Sequence, residues 1–597
     1  MTGRQSVFNS VLIVLLLAVI YLLFTMIQTA DRLHRSNMRL LAALEKSSAV
    51  TNSAAVKPVK RELSIPAANA EYFDPQARIG GKLSSALSAD APGFNPLTVN
   101  EATASIIFSL CSATLAERDF QNPEEFKPML AESWEISKDH LSYKIKLRRN
   151  AMWQSYRCPD SGRMVPAREI TADDFVFMVE AMKNPEVDCA SRRSYYQDLE
   201  SIRAVGKYEL HVKWKRAYYG SLESTLSLFP LPREYYCPDG KFDGKRFNQD
   251  HKRNRTIISC GPYLFAGWDK DRMIRLERNP GYFGAALGIA PALTVREFEI
   301  IKHPNTQLQA LLGGKIDMMN LSAEQWVRRA GEKRFKDGSL SRIRFSGRGY
   351  SYIGYNARKE CFKDAKTRRA LTMLIDRERI LKEVMHDCGT IANGPFAPGS
   401  VYADPALKPY VRNVSMAKQL LREAGWQDSD GDGILERDGK PFRFTMLQIS
   451  GSATQARILP MIKEFFASAG IDMRLQTVEW SVYIDRLNQR RFDACNLGWT
   501  GSIDPDPYQI FHSSQSVDGD NFVGYCNKEV DRLITELRGE FDLNKRISIC
   551  RAIEKHLYDD QPYTFMFYPD VLAALDSQYR NVRLFPLGLE TRTFWLP

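Results

Sequence analysis

Short runs in which apolar and polar residues alternate recur along most of this chain, interleaved with stretches whose apolar residues return every three or four positions. Alternation at Tyr143 to Leu147, Glu209 to Trp214, Ile274 to Glu277, Phe442 to Leu447 and Met473 to Val478 predicts strands with one buried face. Thr171 stands three residues before Asp174, the spacing of a capping box, and opens a helix through Phe175, Val176 and Val179. Two further helices are predicted, Ile458 to Ala469 closed by Gly470 and Lys418 to Ala424 stopped by Gly425. Tyr352 to Asn356 reads as an aromatic strand, followed by a basic connection and by two helices whose N-caps are Asp364 and Asp376. The whole is a mixed α/β pattern without an internal repeat.

One stretch departs from it. Val7 to Ile27 is a run of 21 residues without a charge, preceded by Arg4. At ~1.5 Å rise per residue such a run crosses the ~30 Å hydrocarbon layer. A cleaved signal peptide has an apolar region of about 7–15 residues and small residues around the cut, whereas here the run is longer and Gln28 stands two before Ala30. No Cys follows to accept a lipid. The expectation is a signal anchor over residues 1–30, an N-terminal transmembrane helix, with the body outside the cytoplasmic membrane; a cleaved signal is the alternative. Arg32, Arg35 and Arg39 pull against that orientation, because positive flanks favour the cytoplasmic side. Residues 31–71 read as a tether, with fewer than three heptads and so no long coiled coil.

At 597 residues, 44% hydrophobic and 26% charged, the chain buries a large core and divides into two or more domains. Its formal charge of +11 points weakly to nucleic acid, since residues 1 to 60 hold seven Lys or Arg against two acidic residues and leave +6 for the rest. No nucleic-acid motif accompanies that excess, and no nucleic-acid partner is expected. The eight His are scattered, and H-E-x-x-H, G-x-S-x-G and P-loop patterns are absent, so no catalytic residue is assigned and no cofactor is expected. Asp428, Asp430 and Asp432 occupy the first, third and fifth positions of a calcium-type loop with Gly433 at the sixth, but Gly439 stands where a closing Glu belongs. With Lys440 to Phe444 reading as a strand, the preferred reading is an Asp/Gly hairpin turn. The alternative is a metal loop, which a secreted metal-dependent hydrolase would use.

Several blocks resemble, in order, the bacterial extracellular solute-binding proteins of family 5, the oligopeptide- and dipeptide-type receptors of ABC importers. They are Met129 to Ser137, Thr171 to Phe177, Gly261-Pro262-Tyr263, Asn279 to Tyr282, Gln309 to Asp317, Tyr352 to Asn356 with Arg368 to Arg379, and Phe492-Asp493 with Gly498-Trp499-Thr500. The resemblance implies a two-lobed periplasmic-binding-protein-like fold (type II, cluster C). Lobe one is residues 72–350 with a small subdomain at about 112–205, lobe two is residues 351–561, and residues 562–597 return to lobe one. Hinge closure would capture an oligopeptide-like solute for an ABC permease at the periplasmic face of the cytoplasmic membrane, with the receptor a monomer. A tethered receptor that feeds a signalling partner, and a binder of oligosaccharide or another non-peptide solute, are the alternatives.

Family members present two cleft tryptophans at the spacing of Trp480 and Trp499, which puts both, with Tyr483 and Thr500, on the ligand wall. Tyr355 is placed at the back of the cleft, Asn356 counts with it among the ligand-binding residues, and Gly80 to Leu83 with Asn95-Pro96 resemble its lobe-one floor. Peptide-binding members hold the ligand ammonium with an Asp three residues after the second Trp; here that position is Ser502, and Asp504 is the nearby carboxylate. In an oxidising compartment some of the ten Cys pair, Cys361 with Cys388 being the expected bridge and buried reduced thiols the alternative.

Overall fold

The structure, a computed structural model, describes residues 68–99, 101–501 and 503–597. The Val7–Ile27 run and most of the tether lie outside these residues, as does Ser502. Among the described residues no helix is long and apolar enough to cross a membrane.

Twelve strands make the central sheet. In chain order they are β1 (Lys82–Leu87), β2 (Tyr263–Asp269), β3 (Met273–Arg278), β4 (Val295–Ile300), β5 (Met318–Asn320) and β6 (Leu340–Ser346), then β7 (Tyr350–Tyr355), β8 (Gly389–Ile391), β9 (Arg443–Ile449), β10 (Asp472–Val478), β11 (Ala494–Trp499) and β12 (Tyr563–Asp576). The spatial order is β2-β3-β4-β1-β5-β12-β7-β11-β9-β10, and β6 and β8 also pair with β12.

β12 joins two halves of this sheet. Its residues from Asp570 onward pair with β5 and β6, while Tyr563 to Pro569 pair with β7 and β8. The change of partners falls at Pro569, which has no N–H to give a ladder. The chain crosses between the halves a second time in the three residues Gly347-Arg348-Gly349 that link β6 to β7. A side chain on Gly347 would overlap the Pro569 carbonyl, and one on Gly349 the Trp499 carbonyl. Glycine is required there because three backbones meet, with Gly347 N donating to Pro569 O at 3.1 Å.

The first half adds a four-stranded antiparallel sheet of Leu199–Ala204, Glu209–Trp214, Ser142–Leu147 and Ala131–Ile136. Tyr143, Ile145 and Leu147 point from it into a core shared with Phe175 and Met178 of the Ala172–Lys183 helix. The Thr171 capping box is present, Asp174 accepting from Thr171 N at 2.9 Å. In the second half β9, the Ala453–Ala467 helix and β10 form a parallel strand-helix-strand unit. Asp364 and Asp376 cap the Ala365–Leu374 and Arg377–Glu383 helices. Strand β7 has a core on each face, Tyr350 and Tyr352 in one, Ile353 and Tyr355 in the other.

All ten cysteines are free thiols, which corrects the Cys361–Cys388 bridge. Cys361 packs against the cluster of Tyr355 and Phe362, and Cys388 belongs to a different cluster with Leu572 and Ala574. Burial pushes the Cys361 thiol up to about 12, so it carries no thiolate at neutral pH. Residues 428–435 form a loop closed by the Gln427 to Glu436 bridge, with Gly431 and Gly433 at φ 78° and 86°, and Asp438-Gly439 make the tight hairpin turn that follows, between paired Arg437 and Lys440.

Candidate functional site

Where the halves meet, a cavity of about 580 Å³ opens. One wall comes from the second half and the crossing: Trp499, Thr500 and Gly501 at the end of β11, Arg348 and Tyr350, and the Pro395 to Tyr402 segment. Glu124 and Leu587 of the first half face them. Trp499 is half-buried and held flat by aromatic stacking, 5.7 Å from Phe522 at 16° and 6.3 Å from Tyr352 at 12°. Tyr352 in turn stacks on Tyr563 of β12 at 3.9 Å. Such contacts add ~0.5–1.5 kcal/mol per pair beyond burial. A rigid indole face beside few polar groups suits a flexible, largely apolar ligand.

Beside the cavity the halves are clasped together. Tyr218 and Tyr219, from a turn of the first half, are 8% and 9% exposed because they insert into the second-half core. Tyr218 Oη donates to Asp506 Oδ2 at 2.8 Å, and Arg538 Nε lies 3.2 Å from the same oxygen. The Arg538 guanidinium sits 4.4 Å from the rings of both Tyr218 and Tyr508. Tyr219 Oη donates to Pro505 O, and its N–H to Arg538 O at 3.0 Å. Asp504 is ringed by Arg118 at 3.4 Å, Arg546 at 3.7 Å and Tyr402 Oη at 3.4 Å. Burial pushes the phenols of Tyr218 and Tyr219 well above their ordinary value, with Asp506 adding to the effect, so both stay neutral donors.

The residues singled out in the sequence therefore part company. Trp499 and Thr500 lie on the cavity wall. Trp480 is 51% exposed and stacks on Tyr483 at 6.1 Å, but neither lines this cavity, and Tyr483 is wholly buried with its Oη donating to Asn496 O at 2.8 Å. Tyr355 and Asn356 are buried in the second half and do not line this cavity, which corrects the expectation that both bind the ligand. Tyr355 Oη bonds Thr564 Oγ1 at 3.0 Å, and Asn356 Nδ2 donates to Phe492 O at 2.8 Å. Strand β7 runs away from the crossing, and the extended residues from Gly349 to Tyr355 carry Tyr355 ~20 Å beyond Arg348. Asp504 is engaged in the clasp rather than free for a ligand cation. Sequence reasoning missed Arg348, Glu124, Tyr218 and Tyr219; the glycines on both sides of Arg348 were the one local signal.

A second cavity, about 680 Å³, lies wholly within the first half, with Asn95 and Pro96 on its wall. On its wall Arg592 bridges Glu117 and Glu590 at 2.9 Å each, and Arg296 donates to Thr591 Oγ1 at 2.9 Å. Leu83, by contrast, is core. Asp428, Asp430, Asp432 and Glu436 bring carboxylate oxygens within 4.8 Å of one another. Asp428 accepts from Gly431 N (2.8 Å) and Gly433 N (3.2 Å), Asp432 from Ile434 N (2.7 Å), and Glu436 from Ser429 N (2.8 Å), which are the bonds that shape the turn.

A sheet split in two, crossed twice and cleft at the crossing, is the mixed α/β architecture of two-lobed periplasmic binding proteins. The solved oligopeptide-binding protein AppA from Bacillus subtilis, in complex with a nonapeptide, superposes with a TM-score of 0.76 at 29% identity over 87% of this chain and 100% of that one. The family model of the bacterial extracellular solute-binding proteins, family 5 Middle, matches residues 125–522, and the chain belongs to that family. By sequence it is 31% identical to AppA over 468 residues, 77% of this chain and 81% of AppA. It is 25% identical to the dipeptide-binding protein of Escherichia coli over 517 residues, 83% and 91% of the two chains.

Proposed function

We propose that this chain is an extracytoplasmic receptor of an ABC importer that captures oligopeptides by closing two lobes over them. The observation that carries the reading is the cavity at the sheet crossing, walled by Trp499 from one lobe and by Glu124 and Leu587 from the other. Lobe one, residues 72–350 with the returning 562–597, and lobe two, residues 351–561, turn about the Gly347-Arg348-Gly349 link and Pro569. The Tyr218 and Tyr219 clasp forms on closure and is released on opening. The names of the relatives, oligopeptide-binding and dipeptide-binding, support a peptide as the cargo. Closure fixes a shape that a membrane permease recognises, and differential binding of ligand to the closed form drives it. The receptor acts as a monomer, and the Val7–Ile27 run holds it at the outer face of the cytoplasmic membrane. No step of this cycle makes or breaks a covalent bond.

The test is to purify the protein, denature it and identify by mass spectrometry what leaves with it. Peptides of mixed sequence are expected. A sugar, or a metal chelate in place of peptides, overturns the assignment.

A further inference from the structure

The charges around the cleft are unevenly matched. Asp506 on the wall is held by Tyr218 and Arg538, and Asp504 by Arg118, Arg546 and Tyr402. Arg348 makes one hydrogen bond, Nη2 to Gly501 O at 2.9 Å, and no ion pair with any described residue. Glu124, the carboxylate on the facing wall, does not come within ion-pair distance of it. Glu223, which favours the Arg348 charge from further off, is itself bonded to Arg118 at 2.8 Å. A guanidinium has five N–H donors in a fixed fork that fits a carboxylate. Here four of them are free of described partners, while the group is half-buried; burial and the positive charge of Arg118 both work against its cation. Next to it Tyr350, 4% exposed, has a hydroxyl without a hydrogen-bond partner.

We propose that Arg348 is the anion anchor of the cleft and binds a carboxylate of the captured peptide. The proposal rests on the capture reading above and adds the ligand's charge to it. Arg348 sits in the three-residue crossing, between two glycines that the neighbouring backbones leave no room to replace, and a side chain on Gly501 would overlap the Arg348 carbonyl. The guanidinium is therefore fixed to the hinge itself. A carboxylate bound there is engaged at the point about which the lobes turn, so one contact both selects an acidic ligand and steadies the closed form.

The test uses the full chain in mild detergent and three tetrapeptide libraries without Lys, Arg or His: free acids without Asp or Glu, the same sequences as C-terminal amides, and amides carrying one Asp. Retained peptides are counted by mass spectrometry after washing. The wild type is expected to retain a carboxylate-bearing library over the neutral amides by about tenfold or more. The free acids and the Asp amides separate a C-terminal from a side-chain carboxylate. Arg348→Gln is expected to retain peptides but to bring that ratio close to one. An unchanged ratio in Arg348→Gln, or a wild type that takes neutral amides as readily as acids, overturns the anchor. A wild type that retains no peptide in any arm overturns the capture reading, and the anchor with it. Should Arg348→Gln not fold, the wild-type ratio in rising salt decides: a fall supports the anchor and a constant ratio overturns it.

Discussion

Glu554 offers a sharp test of how the cleft wall is supported. It lies on the Leu543–Asp560 helix at 2% exposure, and its Oε2 accepts from Asp404 N at 2.6 Å. Arg551, on the same helix, donates to Val401 O at 3.0 Å, so the two side chains hold the segment that carries Tyr402 to the cavity. Burial, helped by the nearby Asp404 charge and opposed by the Asp404 N–H and Arg551, pushes the Glu554 carboxyl from 4.5 up to about 7. The folded protein keeps this proton to about pH 7 while the unfolded chain releases it near the ordinary value. The native state thus binds more protons between those limits, and stability falls as pH rises through them. A gap of that size amounts to about 3 kcal/mol. Glu554→Gln keeps an acceptor for Asp404 N and removes the titration. Urea unfolding of both proteins at pH 5, 6, 7 and 8 measures the effect, because other groups cancel in the difference. The two should differ by no more than about 1 kcal/mol at pH 5, and the variant should be more stable by up to about 3 kcal/mol at pH 8. A pH-independent offset, or a variant weaker at pH 8, refutes the reasoning.

Trp499→Ala should lower affinity for retained peptides about tenfold to a hundredfold by calorimetry, and should also lower the melting temperature because its stacking on Phe522 and Tyr352 is lost; equal affinity would remove it from the ligand wall. Asp506→Asn leaves Arg538 with a neutral partner and should weaken the clasp by about 1–3 kcal/mol. Small-angle scattering at saturating peptide should then show a more extended protein than the peptide-bound wild type, and an unchanged curve would mean the clasp does not hold the closed lobes. Gly347→Ala forces a methyl against the Pro569 carbonyl and should cost about 1–3 kcal/mol in urea unfolding. A neutral result there would mean the two crossings are free to separate.

Several strands with one buried face were readable, because alternation survives in sequence: Glu209–Trp214 was found to the residue and Asp472–Val478 to within one, although Val295–Ile300, which alternates in the same way, was not picked out. Helix starts were harder. The Ala453–Ala467 helix begins five residues before the predicted Ile458, its early turns masked by polar residues and by Pro460, although Ser452 caps it. The cleft was only half legible. Trp499 carries a family-like neighbourhood, whereas Arg348, Glu124, Tyr218 and Tyr219 come from segments far apart in the chain and gain meaning only once the sheet crosses. Tyr355 and Asn356 misled because an aromatic strand looks the same whether it ends in a cleft or a core. The Cys361–Cys388 expectation failed for a similar reason, as nearness to one helical pair does not say which cluster each thiol enters.

The central claim is that the two lobes move together on a peptide at Trp499. Small-angle scattering of the purified protein, recorded without ligand and with a saturating mixture of tetrapeptides, tests it most directly. The account predicts a smaller radius of gyration with peptide; curves that superimpose while peptide is bound would contradict it.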